Sequence, residues 1–360
     1  MSERLRVGIV GAGKIGAKRA REVARAAGSR LVAVVDADAA RACELAREYS
    51  CRSGTDWESL VSGREVDAII VATTHRWLAR VSLAALESAK HVLCEKPLAR
   101  NAAEARPVVA AAARNGARLM TGFNHRFHPA LAMAQQMLSR DEIGRPLWIR
   151  CRYGHGGRPG YEREWRANPE ESGGGELLDQ GIHALDLFRW FLGDFAEVSA
   201  TLASSFWPMA VEDNAFCTLR TAGGEVAQLH ASWTQWKNLF SFELAGERGY
   251  LLAEGLGGSY GDERLVIGLR AAEGGAPREG VMTFDAHDVS WEREWREFLA
   301  AIREERPPLG DGEDGLAALR LVEAAYASAR ERRAVSLRTK PASAGGKEEH
   351  AEPRLHRAVS

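Results

Sequence analysis

Leu5-Arg6-Val7-Gly8-Ile9-Val10-Gly11-Ala12-Gly13-Lys14-Ile15-Gly16 runs from an apolar strand pattern through a glycine turn into an Ala- and Arg-rich helical period. Each glycine has a physical task in that setting. Gly11 permits the tight turn, Gly13 lets the backbone approach a pyrophosphate, and Gly16 lets the helix pack closely on its strand, with the helix N-terminus favouring the phosphate charge. A second strand ends 20 residues beyond Gly16 in Asp36, where a carboxylate can accept hydrogen bonds from an adenosine ribose. Gly11, Gly13, Lys14, Ile15, Gly16 and Asp36 therefore read as a dinucleotide site. A carboxylate near the ribose 2′ position repels an added phosphate, so NAD is expected ahead of NADP. Arg41 lies one helical turn on, but neither Ser nor Arg directly follows Asp36 to form a phosphate pocket.

Outward from this stretch, short apolar runs alternate with helical periods. Strands are expected at Leu5–Val10, Leu31–Asp36, Ala68–Ala72, His91–Glu95 and Leu119–Gly122, and helices at Ile15–Ala27, Ala39–Tyr49, Leu78–Ser88 and Ala102–Asn115. That alternation predicts an α/β Rossmann domain over residues 1–123, a parallel doubly wound sheet covered on both faces. After Gly144 the strands lengthen and gain aromatic and β-branched residues, at Leu147–Tyr153, Val198–Ser205, Ala215–Thr221, Glu225–Trp236 and Phe240–Ala245. With helices at Leu177–Leu192, Trp291–Arg303 and Gly315–Arg332, residues 124–340 read as an α+β domain with a large, mainly antiparallel open sheet. Residues 341–360 are polar with almost no aliphatic content and are expected to form a disordered tail.

Composition narrows the function classes. The chain has 360 residues, 45% of them hydrophobic, enough for two cores of about 100–150 residues or more. Its 48 basic and 49 acidic residues leave a net charge of −1, which gives no electrostatic reason to bind nucleic acid or an anionic membrane. Five scattered cysteines form no CxxC pair, so no metal site is expected, and an odd count suits reduced thiols. No apolar run approaches about 20 residues, and the N-terminus lacks the pattern of a secretory signal. The expected compartment is the cytoplasm.

Three further segments carry chemistry. Glu95-Lys96-Pro97 follows a parallel strand at the carboxyl edge of the sheet, where ligands of open α/β sheets bind. Gly174-Gly175-Glu176-Leu177-Leu178-Asp179-Gln180-Gly181-Ile182-His183 opens a helix. On that helix Asp179 and His183, four apart, share a face, and Asp186 extends the line. A lysine, histidine and carboxylate set can remove a proton from an alcohol as hydride leaves its carbon. Asn124-His125-Arg126-Phe127-His128-Pro129 follows the fifth strand, with His125 and His128 reading equally well as solvated surface residues. Aromatic faces at Tyr161 and Trp165 suit the C–H faces of a sugar, and guanidinium groups at Arg158, Arg163 and Arg166 suit a phosphate or carboxylate; the segment reads equally well as a mobile loop with ordinary surface charges.

With these motifs in this order, the chain from about Leu5 to Leu337 resembles the glucose–fructose oxidoreductase, inositol dehydrogenase and rhizopine-catabolism (Gfo/Idh/MocA) family. The resemblance implies an NAD-dependent oxidoreductase acting on a sugar, cyclitol or nucleotide-linked sugar. Under it His183 exchanges the proton, Asp179 positions the substrate hydroxyl or the acid–base pair, and Lys96 hydrogen-bonds and polarises the reacting oxygen. The residues leave open whether Lys96 or His183 finally holds the proton. The resemblance further implies that Thr73, Glu95 and Lys96 border the cofactor, and that Asn124 and Arg126, with Arg126 foremost, reach the substrate alongside Arg158, Tyr161 and Trp165. It also implies a homodimer or homotetramer formed through the C-terminal sheet, where Trp207, Trp233 and Trp236 read as interface or core. One departure stands out at Ala72-Thr73-Thr74-His75, where the family commonly has a Thr-Pro-Asn turn. Here Thr74 replaces the proline and His75 the asparagine. Two rival functions use the same fold, an NAD-dependent glycosidase working by transient oxidation and a non-enzymatic NAD-sensing regulator.

Overall fold

A computed structural model describes residues 4–284 and 287–337, so the tail expected at 341–360 lies outside the described residues. Strands β1 (Leu5–Val10), β2 (Ser29–Val35), β3 (Arg52–Gly54), β4 (Ala68–Val71), β5 (His91–Cys94) and β6 (Leu119–Thr121) alternate with helices α1 (Lys14–Arg25), α2 (Ala39–Glu48), α3 (Trp57–Ser62), α4 (His75–Glu87) and α5 (Ala102–Asn115). The strands pair in parallel in the order β3-β2-β1-β4-β5-β6. This is the Rossmann order. Its reversal between β1 and β4 opens a crevice at the carboxyl ends of those strands, which is where ligands of such sheets bind. β4 is buried throughout because helices cover both faces of a parallel sheet.

The remainder contains α6 (Pro129–Ser139), β7 (Pro146–Gly154), α7 (Pro169–Ser172), α8 (Ile182–Leu192), β8 (Phe195–Ala203), β9 (Asn214–Thr221), β10 (Val226–Ser232), β11 (Leu239–Gly246), β12 (Gly249–Glu254), β13 (Arg264–Leu269), β14 (Arg278–Thr283), α9 (Ser290–Arg303), α10 (Gly312–Glu331) and β15 (Val335–Ser336). Nine strands form one sheet in the order β14-β13-β12-β11-β7-β10-β9-β8-β15, with β7 and β10 parallel and the other pairs antiparallel. Burial alternates along β9, since one face of the sheet is covered by helices, α10 on β8 and α8 on β7 and β10, while the other is open. The open face exposes Trp148 and Phe216.

Several expected boundaries shift. The helix expected at Leu177–Leu192 begins as a π turn, Leu177–Gly181, before α8. β12, β13 and β14 escape a pattern reading because glycines at 255, 257, 258, 261, 274 and 275 break up the connections, and β14 is exposed at every residue, so it has no alternation to read. The boundary expected at residue 123 is crossed by packing. On α9, Trp295, Phe298 and Leu299 are buried in one cluster with Val7, Ile9, Ala20 and Val23 of the first sheet and α1.

Candidate active site

The glycine loop has the conformation that its three glycines foretell. Gly11 adopts φ +105°, and a Cβ there would lie 2.4 Å from the Ala72 carbonyl oxygen. A Cβ on Gly16 would lie 1.9 Å from the Gly11 carbonyl oxygen, whereas one on Gly13 would meet nothing within 4 Å. Gly13 is thus the open position. Helix α1 has no side-chain cap and no acidic residue in its first turn, so its N-terminal N–H groups and positive dipole end are left for an anion. Loop and helix border a cavity of about 710 Å³, whose wall includes Gly11, Gly13, Lys14, Ile15, Asp36, Thr73 and Thr74.

Asp36 is fixed by two backbone donors, Ala12 N–H at 2.7 Å and Asp38 N–H at 2.9 Å, which aim its carboxylate at this cavity. Arg41, which lines the same cavity, is paired with Asp38 at 2.8 Å. The residues present fit NAD: an open backbone approach for the pyrophosphate, a helix N-terminus behind it, and a carboxylate for the ribose.

A second cavity of about 500 Å³ shares Lys14, Ile15, Ala72, Thr73, Arg158, Trp165 and Arg166 with the first, and the two adjoin. Into it converge Lys96 from the end of β5, Asp179 from the π turn and His183 from α8. The Lys96 ammonium donates to the Asp179 carbonyl oxygen and, at 3.0 Å, to its Oδ1, while Arg166 Nε donates to Oδ2 at 2.8 Å. Burial opposes the charge on Asp179, but Lys96 and Arg166 outweigh it and hold the carboxyl well below the usual carboxylate range. Asp179 is therefore a fixed anion between two cations. His183 is pushed well below the usual imidazole value by burial and then by Lys96, so it is neutral with a free lone pair through the neutral range. Its ring stacks on His125 at 3.9 Å.

The remaining expected residues divide. Asn124, Arg158, Tyr161 and Trp165 line the second cavity, as does Glu95, which pairs with Arg19 at 2.7 Å. Arg126 does not reach the cleft. Its guanidinium is buried and spans Asp186, at 2.6 and 2.8 Å, and Asp314 at 3.0 Å, so both Arg126 and Asp186 are spent on holding α8 and α10 against the turn after β6. Arg158 and Arg166, offered for an anion, are each already paired, Arg158 with Glu164 and Arg166 with Asp179. His125 and His128 are buried cleft residues, not solvated ones. Trp233 is core, Trp207 is half-buried, and Trp236 is exposed.

Cleft residues that the sequence reading did not assign include His75, Tyr153, Gln180, Tyr260, Asp288 and Trp291. A histidine directly after a carboxyl-edge turn was a usable signal for His75. Tyr260 comes from a glycine-flanked loop with no motif, and its hydroxyl accepts from Gln180 at 3.1 Å. Below the cleft, Glu176 is fully buried and is pushed by burial well above the usual carboxyl range.

Comparison with known proteins adds three findings. Residues 5–123 match an oxidoreductase family with an NAD-binding Rossmann fold, and residues 131–252 match the GFO/IDH/MocA C-terminal domain. The chain is 31% identical over 318 residues to 1,5-anhydro-D-fructose reductase of Ensifer adhaerens, covering 86% of this chain and 92% of that protein. It is 32% identical over 334 residues to D-apiose dehydrogenase of Paraburkholderia graminis, covering 88% and 85%. Among solved structures it superposes on levoglucosan dehydrogenase in complex with NADH with a TM-score of 0.84 at 25% identity, over 93% of this chain and 99% of that one.

Proposed function

Because the chain belongs to the GFO/IDH/MocA family of oxidoreductases with an NAD-binding Rossmann domain, we propose that it transfers hydride between NAD(H) and a secondary alcohol or ketone of a neutral sugar or cyclitol. The observation that carries this reading is the convergence of Lys96, Asp179 and His183 on a cavity that shares its wall with the glycine-loop cavity. When bound, the nicotinamide supplies the hydride acceptor or donor. The protein supplies the rest. Lys96, fixed by Asp179, hydrogen-bonds the reacting oxygen, and neutral His183 takes the alcohol proton or returns it.

An uncharged substrate is supported by the paired guanidiniums of the cavity, Arg158 with Glu164 and Arg166 with Asp179. Relatives named for 1,5-anhydro-D-fructose, D-apiose and inositol fit the same class. Asn124, Arg158, Tyr161 and Trp165 form the substrate wall, while Gly11, Gly13, Lys14, Ile15, Gly16, Asp36, Thr73, Glu95 and Lys96 border the cofactor. Residues 1–123 carry the cofactor site and the segment from 124 on carries the substrate wall. Trp148 and Phe216 on the open sheet face support a homodimer or homotetramer, to be read by light scattering. No helix among the described residues is long and apolar enough to cross a membrane, and all five cysteines are free thiols, which suits the cytoplasm.

An absorbance screen at 340 nm with NAD and neutral sugars, anhydrosugars and inositols tests the reading. Net NADH stoichiometric with product is expected. Turnover without net NADH would instead assign a glycosidase working by transient oxidation, and NADH binding with no turnover would assign a sensor. Asp36→Ala should narrow the preference for NAD over NADP in titration calorimetry; an unchanged ratio would remove Asp36 as its cause.

A further inference from the structure

His75 stands at the first position of α4, and its fate is decided by two contacts. Nδ1 lies 2.8 Å from the Ser172 carbonyl oxygen at the end of α7. A carbonyl can only accept, so Nδ1 carries the hydrogen and Nε2 presents a lone pair. That Nε2 lies 3.8 Å from Asp179 Oδ1, too far for a direct bond and with an acceptor on each side of the gap. The ring cannot swing away, because it is buried and meets Trp165 edge-on at 4.7 Å. The charged groups acting on it are Asp179, Lys96 and Arg166. Burial comes first and lowers its basicity to about 4, with Asp179 opposing and Lys96 and Arg166 assisting, so the ring is neutral at pH 7.

Its place selects what fills the gap. The flanking Thr74 and Trp77 line the cofactor cavity, whereas His75 lines only the adjoining cavity of Lys96, Asp179 and His183. We propose that the lone pair on His75 Nε2 is a fixed acceptor for a second hydroxyl of the substrate, donated into the gap beside Asp179 Oδ1 while the neighbouring hydroxyl reacts at Lys96 and His183. This rests on the dehydrogenase reading above and deepens it. The ring selects a cyclic polyol with a hydroxyl next to the reacting one over a lone secondary alcohol. Such a hydroxyl needs an acceptor, and a charged or Nε2-protonated imidazole could not provide one.

The test uses the full chain, with His75→Phe to keep the ring volume and His75→Gln to restore an acceptor. On myo-inositol, D-glucose and 1,6-anhydroglucose, His75→Phe should raise KM about 5- to 10-fold, the loss of one hydrogen bond, with the greater share of the fall in kcat/KM in KM. His75→Gln should recover part of it, and one monodeoxy analogue should be used equally by wild type and His75→Phe. An unchanged KM overturns the proposal, as does a weakened NADH affinity by fluorescence with KM intact, which would give the acceptor to the nicotinamide amide. 15N spectra of histidine-labelled protein read the same atom without turnover. The expected signal is an unprotonated Nε2 at pH 7, missing in His75→Phe and displaced when myo-inositol is added to the NADH complex. A protonated Nε2, or a signal that does not move, overturns it. Failure of wild type to turn over any polyol would count against the dehydrogenase reading, and the Nε2 signal would still decide the role of His75.

Discussion

Lys96 and His183 occupy positions where their loss should separate chemistry from folding. General acid–base groups typically contribute about 10²–10⁴-fold, so Lys96→Ala or His183→Ala should lower kcat/KM by about that much while NADH affinity is largely retained. Asp179→Asn should also be impaired, because it loses the charge that Lys96 and Arg166 share. Double variants should fall short of the product of the singles, since each member depends on the others. Near-normal turnover in both single variants would sink the mechanism. The pH profile carries a sign as well. His183 has a lowered value, so it keeps its lone pair as pH falls through the ordinary imidazole range, and the acid limb of kcat/KM should lie well below pH 6.5. A limb at 6.5 would assign the proton to another group. These three residues were legible because each stands in a short motif after a strand or at a helix start. Arg126 misled for the same reason: its motif follows a carboxyl edge, but Asp186 and Asp314, 60 and 188 residues away in the chain, claim its guanidinium, and no local pattern records them.

At the scale of elements, the parallel half was readable because buried strands and amphipathic helices give contrasting periods; β1 and α5 were expected at their observed bounds. What escaped is what tertiary contact decides. The π turn before α8 reads as ordinary helix in sequence, and α9 shows an apolar stripe without showing which sheet it covers. In the fold α9 closes over α1, where its Glu294 meets Arg19, which also binds Glu95. Burial pushes the Glu294 carboxyl up to about 7, against the opposing pull of Arg19. A raised acid favours folding in its neutral form, so this contribution is complete below the unfolded value of 4.5 and is lost as pH rises through about 7. Glu294→Gln removes that titration. The melting temperature of Glu294→Gln relative to wild type should therefore rise between about pH 5 and 7 and level off above, as scanning fluorimetry would read; a difference independent of pH would place the titration elsewhere.

For the molecule as a whole, the question is whether the two sheets unfold separately. Local sequence divides the chain near residue 123, yet its packing does not. One buried cluster joins Val35, Ile69 and Leu119 of the first sheet to Ile149, Leu219 and Phe242 of the second. Helix α10 reinforces the seam. A Cβ on Gly315 would lie 2.4 Å from Thr121 Oγ1 and one on Gly312 2.5 Å from Leu119, so its first turn is pressed against β6, and its body packs on both α5 and β8. Trp295 and Phe298 then cover the first sheet from the far end of the chain. Such a seam couples the halves, because exposing either sheet uncovers apolar surface of the other, at about 25 cal/mol per Å². The expected calorimetric scan is a single transition in which calorimetric and van't Hoff enthalpies agree. With the proposed NADH site on the first sheet and the cleft, NADH at about 100 times its Kd should add about 2.7 kcal/mol to the stability of the entire chain and move that one transition upward. Two transitions, with only one moved by NADH, would mean that the seam is too weak to couple them and that the boundary near residue 123 divides two independently folding units.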